Sequence, residues 1–377
     1  MIARRLACAL FCVPLASGAA LHAEGLARLE DLGEALFFDM DLSRNRSQAC
    51  ASCHDPEAGF ADPRGMASPG DDGVSLGDRN APTASYAHFA PAFSEIAEGV
   101  YAGGQFLDGR AASLADQAGG PPLNPVEMGM PDAASVVARL EENPAYVVAF
   151  KDLFGDEIFA DKDAAYVAMT KALAAFEQTE VFSPFDSKYD RYLRGEAELT
   201  RKEMLGETLF FSQQFTNCNL CHQLNARPGA KGETFTNYEY HNIGVPENVE
   251  LRAMNGAAGT VDKGLAQNPM VGGAAQTVGR FKVPTLRNVA VTGPYMHNGV
   301  FADLRTVVLF YNSYNTKSEA RKINPETGAP FAAPEVAENM SMEELTTGPA
   351  LEDREVEALV AFMKTLTDAR YEPLLDE

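Results

Sequence analysis

The five-residue pattern Cys-x-x-Cys-His occurs twice in this 377-residue chain, as Cys50-Ala51-Ser52-Cys53-His54 and as Cys218-Asn219-Leu220-Cys221-His222. The pattern is the attachment signature of a c-type haem: two thiols add to the porphyrin vinyl groups, and the next residue's imidazole takes one face of the iron. Any fold this chain adopts must therefore enclose two large planar cofactors. His54 and His222 account for one axial position each, and the other two positions need an explanation.

The N-terminus supports the haem reading. Arg4 and Arg5, an apolar run from Leu6 to Leu21, and small residues at Ala19, Ala20 and Ala23 read as a secretory signal over residues 1–23, cut between 19 and 23. Pro14, Ser17 and Gly18 interrupt that run, and no later segment has about 18 uninterrupted apolar residues. A cleaved leader, a periplasmic location and no membrane anchor are expected.

Cys8 and Cys12 leave with the leader, so the mature cysteines are the two pairs. A disulfide framework is not expected in so large a domain. A shared zinc site would have to join pairs 168 residues apart and would leave both histidines unexplained. Thioredoxin-like redox pairs do not need the histidine. The formal charge of -22 excludes nucleic acid and disfavours anionic lipid, while permitting a basic protein partner. A solvated acidic surface accounts for most of it.

Length and a 46% hydrophobic content suit two domains. A repeat supports this: Leu32-Gly33-Glu34-Ala35-Leu36-Phe37-Phe38 precedes the first haem motif and Leu205-Gly206-Glu207-Thr208-Leu209-Phe210-Phe211 the second. Phe38 lies twelve residues before Cys50, and Phe211 seven before Cys218. Asp132 is positioned to cap a helix through Val136, Val137 and Leu140, and Pro144 to start another with Tyr146, Val147 and Phe150. Asp163 opens a third with Tyr166, Val167, Ala174 and Phe176, which Ser183-Pro184 ends. Residues 238–280 read as loop. Asp303 caps a helix through Leu304, Val307, Val308 and Tyr311, and a last helix runs from Asp353 to about Leu366. The expected fold is mostly α, with two cytochrome c-like haem domains and long irregular loops. An N-terminal haem domain over 24–185 precedes a C-terminal one over 186–377, whose terminal helix can pack back on the first.

For the open iron faces the mature chain offers His88, His241 and His297, besides methionines and tyrosines. Spacing alone does not choose among them, and a lone histidine is more often a hydrogen-bonded structural residue.

Several segments resemble the bacterial dihaem cytochrome c peroxidase superfamily, in that family's order. They are the two Cys-x-x-Cys-His motifs, Arg79-Asn80-Ala81-Pro82-Thr83, Phe106-Leu107-Asp108-Gly109-Arg110 and Leu123-Asn124-Pro125-Val126-Glu127-Met128 in the first part. Val283-Pro284-Thr285-Leu286-Arg287-Asn288 and Pro294-Tyr295-Met296-His297-Asn298-Gly299 follow. Peroxidases of the superfamily carry a histidine just before the Arg-Asn-Ala-Pro-Thr-like segment, which caps the first haem until reduction. Gly70 to Asp78 holds none, so the first haem is expected to be open. They also carry a methionine ligand fourteen residues after the Pro-Tyr-x-His histidine, and that count from His297 reaches Tyr311. The residues alone let Tyr311 be a core aromatic on the face of Leu304, Val307 and Val308. The resemblance is to the methylamine-utilisation branch, in which the second haem has His and Tyr ligands; Tyr311-Asn312-Ser313-Tyr314 and Ile323-Asn324-Pro325-Glu326-Thr327-Gly328 strengthen it. A thioether favours reduced iron, whereas a hard tyrosinate favours higher oxidation states.

By the same resemblance, Glu127, Gln117 and Pro121 form the distal pocket of the first haem. Glu127 would move a proton from the inner to the outer peroxide oxygen; on residues alone it is equally a helix-start carboxylate after Pro125. Gln117 would orient peroxide and Pro121 shape the pocket. Asn80, with backbone carbonyls of Thr292 and Pro294, resembles a Ca²⁺ site between the haem domains, and His297 a support for a haem propionate or the domain interface.

Two positions depart from the family. Leu107 stands where the superfamily has a tryptophan between the haems, Thr216 where the branch has another, and the chain has no Trp at all. The implied activity is formation of high-valent haem iron with hydrogen peroxide, or O2 plus electrons. Long-range oxidation would then complete tryptophan tryptophylquinone in a methylamine dehydrogenase precursor. The alternatives are a cytochrome c peroxidase drawing electrons from a small cytochrome or cupredoxin, and a non-enzymatic dihaem electron carrier with both irons saturated.

Overall fold

The computed structural model describes residues 24–376. The leader read over residues 1–23 lies outside the described residues.

The regular structure of the described chain is mainly helical, with little sheet, and more than half of the residues lie in loops and turns. Its first half contains α1 (Leu29–Phe37), the single turn α2 (Cys50–Cys53), a hairpin of β1 (Ser94–Ala97) and β2 (Val100–Ala102), and α3 (Leu114–Ala118). Next come α4 (Ala133–Glu142), α5 (Pro144–Phe154) and α6 (Lys162–Glu177). The second half contains α7 (Lys188–Leu193), α8 (Arg201–Phe210), the single turn α9 (Cys218–Cys221) and β3 (Tyr240–His241). Then follow α10 (Val249–Met254), β4 (Phe281–Lys282), α11 (Leu304–Ser313), α12 (Met342–Thr346) and α13 (Asp353–Lys364). Strands β3 and β4 pair antiparallel.

The helix starts follow capping chemistry. Asp132 accepts from the Ser135 amide at 2.7 Å, and Asp303 from the Arg305 amide at 2.7 Å, each satisfying a donor that the first turn leaves free. Pro144 opens α5 behind Asn143. The start expected at Asp163 is corrected: Asp161 is the cap of α6, accepting from the amides of Asp163 and Ala164, so Asp163 lies inside the first turn. The expected loop over 238–280 is also corrected, because it contains β3 and α10. Both elements are too short to show a hydrophobic period, and α10 is held by Asn248, which accepts from the Leu251 amide at 3.1 Å.

Two apolar cores form. One gathers Leu32, Leu36, Phe37, Val136, Phe150, Met169 and Phe182; the other gathers Tyr189, Phe210, Phe235, Val356, Leu359 and Phe362. Each fully buried side chain of this size contributes roughly 1.5–3 kcal/mol. Helix α1 crosses α6 in the first core as α8 crosses α13 in the second, and the repeated Leu-Gly-Glu segment is the reason. A Cβ on Gly33 would lie 1.9 Å from the Ala172 carbonyl oxygen, and one on Gly206 would lie 2.0 Å from that of Ala358. Only glycine allows the backbones this close.

The terminal helix α13 thus belongs to the second core. The return to the first half is made by the 3-10 segment after it, Ala369–Asp376, where the Tyr371 hydroxyl donates to the Pro56 carbonyl at 2.9 Å.

Candidate functional site

Both histidines of the Cys-x-x-Cys-His motifs are held in the same way. His54 Nδ1 stands 3.2 Å from the Phe60 carbonyl oxygen, and His222 Nδ1 stands 3.0 Å from that of Phe235. A ring nitrogen that donates to a carbonyl fixes the tautomer and leaves Nε2 as the metal-binding lone pair. Burial pushes the His54 pKa down and that of His222 to about 4, which keeps the rings in the neutral, ligating form.

The four cysteines form no disulfide. Burial pushes the Cys50 and Cys221 thiols up to about 12 and raises those of Cys53 and Cys218, which is the opposite of a reactive thiolate pair. Two neutral thiols and one neutral imidazole, repeated, fit covalent haem.

A second repeated element supports each histidine. The Thr83 hydroxyl donates to the Gly59 carbonyl at 2.5 Å, and the Thr285 hydroxyl donates to the Thr234 carbonyl at 2.6 Å. Gly59 and Thr234 directly precede Phe60 and Phe235. Three residues beyond each threonine, Tyr86 and Asn288 both adopt a left-handed φ of 60°. The two elements then meet on one carboxylate: the Tyr86 hydroxyl donates to Asp368 Oδ1 at 2.7 Å, and Asn288 Nδ2 donates to Asp368 Oδ2 at 2.8 Å. Burial raises Asp368 to about 6.

Beside α9 lies a cavity of about 390 Å³ whose walls include Cys218, Cys221, His222 and Tyr311, with Leu304, Val307, Val308 and Leu359 as apolar lining. Its size and lining suit a large apolar cofactor. Tyr311 comes from α11, whose start Asp303 sets. Its pKa is raised first by burial and then by Cys221 and Cys218, which places the phenol within electrostatic reach of both thiols; no hydrogen bond contributes. The buried phenol stays neutral unless a cation offsets its charge, and a ferric iron would supply that.

Near α2, one hydrogen-bonded loop carries the other candidates. Gln117 on α3 accepts through its carbonyl from the Gly120 amide at 2.9 Å, the Pro121 carbonyl accepts from Met128 at 3.2 Å, and Asn124 accepts from the Glu127 amide at 3.0 Å. Burial raises the Glu127 carboxyl, against the pull of Arg110 and Asn124. Its charge is felt at both Cys50 and Cys53, so it faces the first haem motif. The histidine-free stretch runs against this loop: the Asp71 amide donates to the Glu127 carbonyl at 2.7 Å.

Asn80, Thr292 and Pro294 line the same cavity as Leu107, between the two halves. Among the described residues no cluster of three or more His, Cys, Asp or Glu suits a metal ion; an amide oxygen with two backbone carbonyls is the all-oxygen set that suits Ca²⁺. His297 is buried, stacks on Phe281 at 3.7 Å, and lies 3.8 Å from Glu335. His241 reaches Ser341 at 3.1 Å, and the His88 ring packs at a tilt against Phe89 with ring centres 4.0 Å apart. Sequence reasoning missed the Phe60 and Phe235 carbonyls and the Tyr86–Asp368–Asn288 junction. The paired Pro82-Thr83 and Pro284-Thr285 could have signalled them, but Pro82 lies 28 residues after His54 and Pro284 lies 62 after His222, which hides the repeat.

Along most of its length the chain is similar to known proteins. The sequence profile of the family described as "Di-haem cytochrome c peroxidase" matches residues 27–198. "Methylamine utilization protein MauG" of Paracoccus denitrificans is 56% identical over 355 residues, spanning 93% of this chain and 91% of that protein. "Cytochrome c peroxidase Ccp" of Escherichia coli is 34% identical over 289 residues, spanning 76% of this chain and 54% of that protein. Among solved structures, the diheme peroxidase BthA from Burkholderia thailandensis superposes with a TM-score of 0.79 at 33% identity, covering 91% of this chain and 86% of that one.

Proposed function

Because this chain belongs to the di-haem cytochrome c peroxidase family, we propose that it is a MauG-like dihaem oxidase. In this reading it uses hydrogen peroxide, or O2 plus electrons, to complete tryptophan tryptophylquinone in a methylamine dehydrogenase precursor. The observation that carries this is 56% identity along 93% of the chain to a protein named for methylamine utilisation. The presence of Tyr311 in the cavity of Cys218, Cys221 and His222 supports it.

We read the two cores as two haem domains, 24–185 and 186–377. Cys50, Cys53 and His54 hold one haem c, and Cys218, Cys221 and His222 hold the other. These groups, when bound, supply the redox chemistry of peroxide reduction and storage of the oxidising equivalents. The protein supplies the rest. Glu127, kept protonatable by burial, moves a proton between the peroxide oxygens so that water can leave. The Gln117 amide orients peroxide, and Pro121 closes the pocket wall. Tyr311 would ligate the iron of the second haem as a hard anionic donor. Asn80, Thr292 and Pro294 hold Ca²⁺ between the halves. The protein works in the periplasm, exported by its leader; no helix among the described residues is long and apolar enough to cross a membrane.

The test is incubation of the purified holoprotein with peroxide and the methylamine dehydrogenase precursor while quinone absorbance is followed. Growth of the quinone band supports the reading. Rapid steady-state peroxide reduction with reduced small cytochrome or cupredoxin, and no quinone, replaces it with the peroxidase reading, which the Escherichia coli relative supports and which fits Leu107 no better.

A further inference from the structure

Leu107 lines the cavity between the two halves, and an aliphatic side chain cannot carry an oxidising equivalent. Tyr86 lines that cavity too, is 1% exposed, and donates its hydroxyl to the Asp368 carboxylate. Resting on the dihaem reading above, we propose that Tyr86, with Asp368 as its proton acceptor, relays oxidising equivalents between the two haem sites.

The connection runs through both repeated elements. The Phe60 carbonyl that receives His54 Nδ1 also accepts from the Ala84 amide at 3.0 Å, two residues before Tyr86. On the far side, Asp368 is bound by Asn288, three residues beyond Thr285 in the element that supports His222. A continuous chain of backbone and hydrogen bonds thus joins each histidine's support to the Tyr86–Asp368 pair.

The chemistry balances with one oxidant, a haem that peroxide has oxidised. Tyr86 loses one electron to that haem while its O–H bond breaks, and the proton crosses 2.7 Å to Asp368 Oδ1, forming a carboxylic acid. An electron from the other haem then reduces the neutral tyrosyl, and the proton returns. Proton and electron must leave together. The Arg287 guanidinium lies 5.2 Å from the centre of the Tyr86 ring and opposes a cation radical there. The Asn288 bond to the other oxygen keeps Asp368 anionic and ready, and burial, which raises it to about 6, keeps it protonatable.

Tyr86→Phe keeps the ring and removes the hydroxyl. After one equivalent of peroxide, the relay predicts at least tenfold slower equilibration between the haems in Tyr86→Phe and in Asp368→Asn, followed by rapid-scan absorbance. It also predicts a trapped organic radical whose paramagnetic resonance signal narrows when wild-type protein carries ring-deuterated tyrosine. A wild-type rate in Tyr86→Phe overturns the relay alone. If wild-type protein shows no peroxide-driven oxidation at the second haem, the dihaem reading and the relay both fall. Should Tyr86→Phe lose haem, the labelled wild-type protein decides: a radical signal insensitive to tyrosine deuteration overturns the proposal.

Discussion

Gly33 of α1 lies directly against the carbonyl of Ala172 on α6, with no room for even one methyl group between them. Gly206 and Ala358 repeat the arrangement in the second core. Gly33→Ala and Gly206→Ala are each expected to force their helix pair apart and to cost about 1–3 kcal/mol or more, the range for overpacking. Urea denaturation of the holoprotein measures this. A variant as stable as the parent would show that the crossing tolerates a wider spacing.

Arg287 is fully buried and paired with Asp190, whose Oδ1 accepts from Nη2 at 2.9 Å. The guanidinium also donates to the Glu233 carbonyl. Asp190→Asn leaves that cation without its counter-charge, at a cost of about 3–5 kcal/mol. Arg287→Lys does not restore stability, because an ammonium cannot reproduce the forked geometry. Thermal unfolding of both variants checks the pair; a loss within 1 kcal/mol in Asp190→Asn would contradict it.

Glu177 ends α6, and burial alone raises its carboxyl to about 8. In the unfolded chain it ionises near 4.5. Between these values the folded state holds one proton more at this site, so Glu177's contribution to stability is greatest below about 4.5 and declines as pH rises toward 8, by at most ~1.4 kcal/mol per pH unit. Glu177→Gln should flatten that decline and raise the melting temperature most at pH 8. Parallel pH profiles of parent and variant would mean that Glu177 ionises normally in the folded protein.

Glu127→Gln removes the protonatable oxygen next to the first haem motif while nearly preserving shape. The rate of reaction with peroxide should fall about 10²–10⁴-fold, the usual contribution of a positioned acid–base group, with the ferric spectrum little changed. Stopped-flow mixing with peroxide reads both. An undiminished rate would assign the proton transfer to another group.

The parts legible in the sequence were those written as local patterns. Asp132, Pro144 and Asp303 signal helix starts because capping depends on neighbours within three residues. The two Cys-x-x-Cys-His motifs are local in the same way, and the structure holds both their histidines alike; the Leu-Gly-Glu repeat announced the matching helix crossings of the two cores. What the sequence could not show depends on distant pairing. The carbonyls of Phe60 and Phe235 carry no side-chain signature, so nothing in their identity marks them as partners of His54 and His222. Asp368 lies 282 residues from Tyr86, and only folding brings them together. Short elements such as α10 escape notice because six residues hold less than two helical turns.

The central claim is a division of labour: an open iron at His54 and a second iron closed by His222 and Tyr311. Electron paramagnetic resonance of the ferric holoprotein, with and without Tyr311→Phe, tests it most directly. The account predicts two distinct ferric signals in the parent, one of them high-spin from the open first site. In Tyr311→Phe that signal stays as it was, while the other changes to that of an iron without its phenolate. Two signals that are both indifferent to Tyr311→Phe would contradict the account.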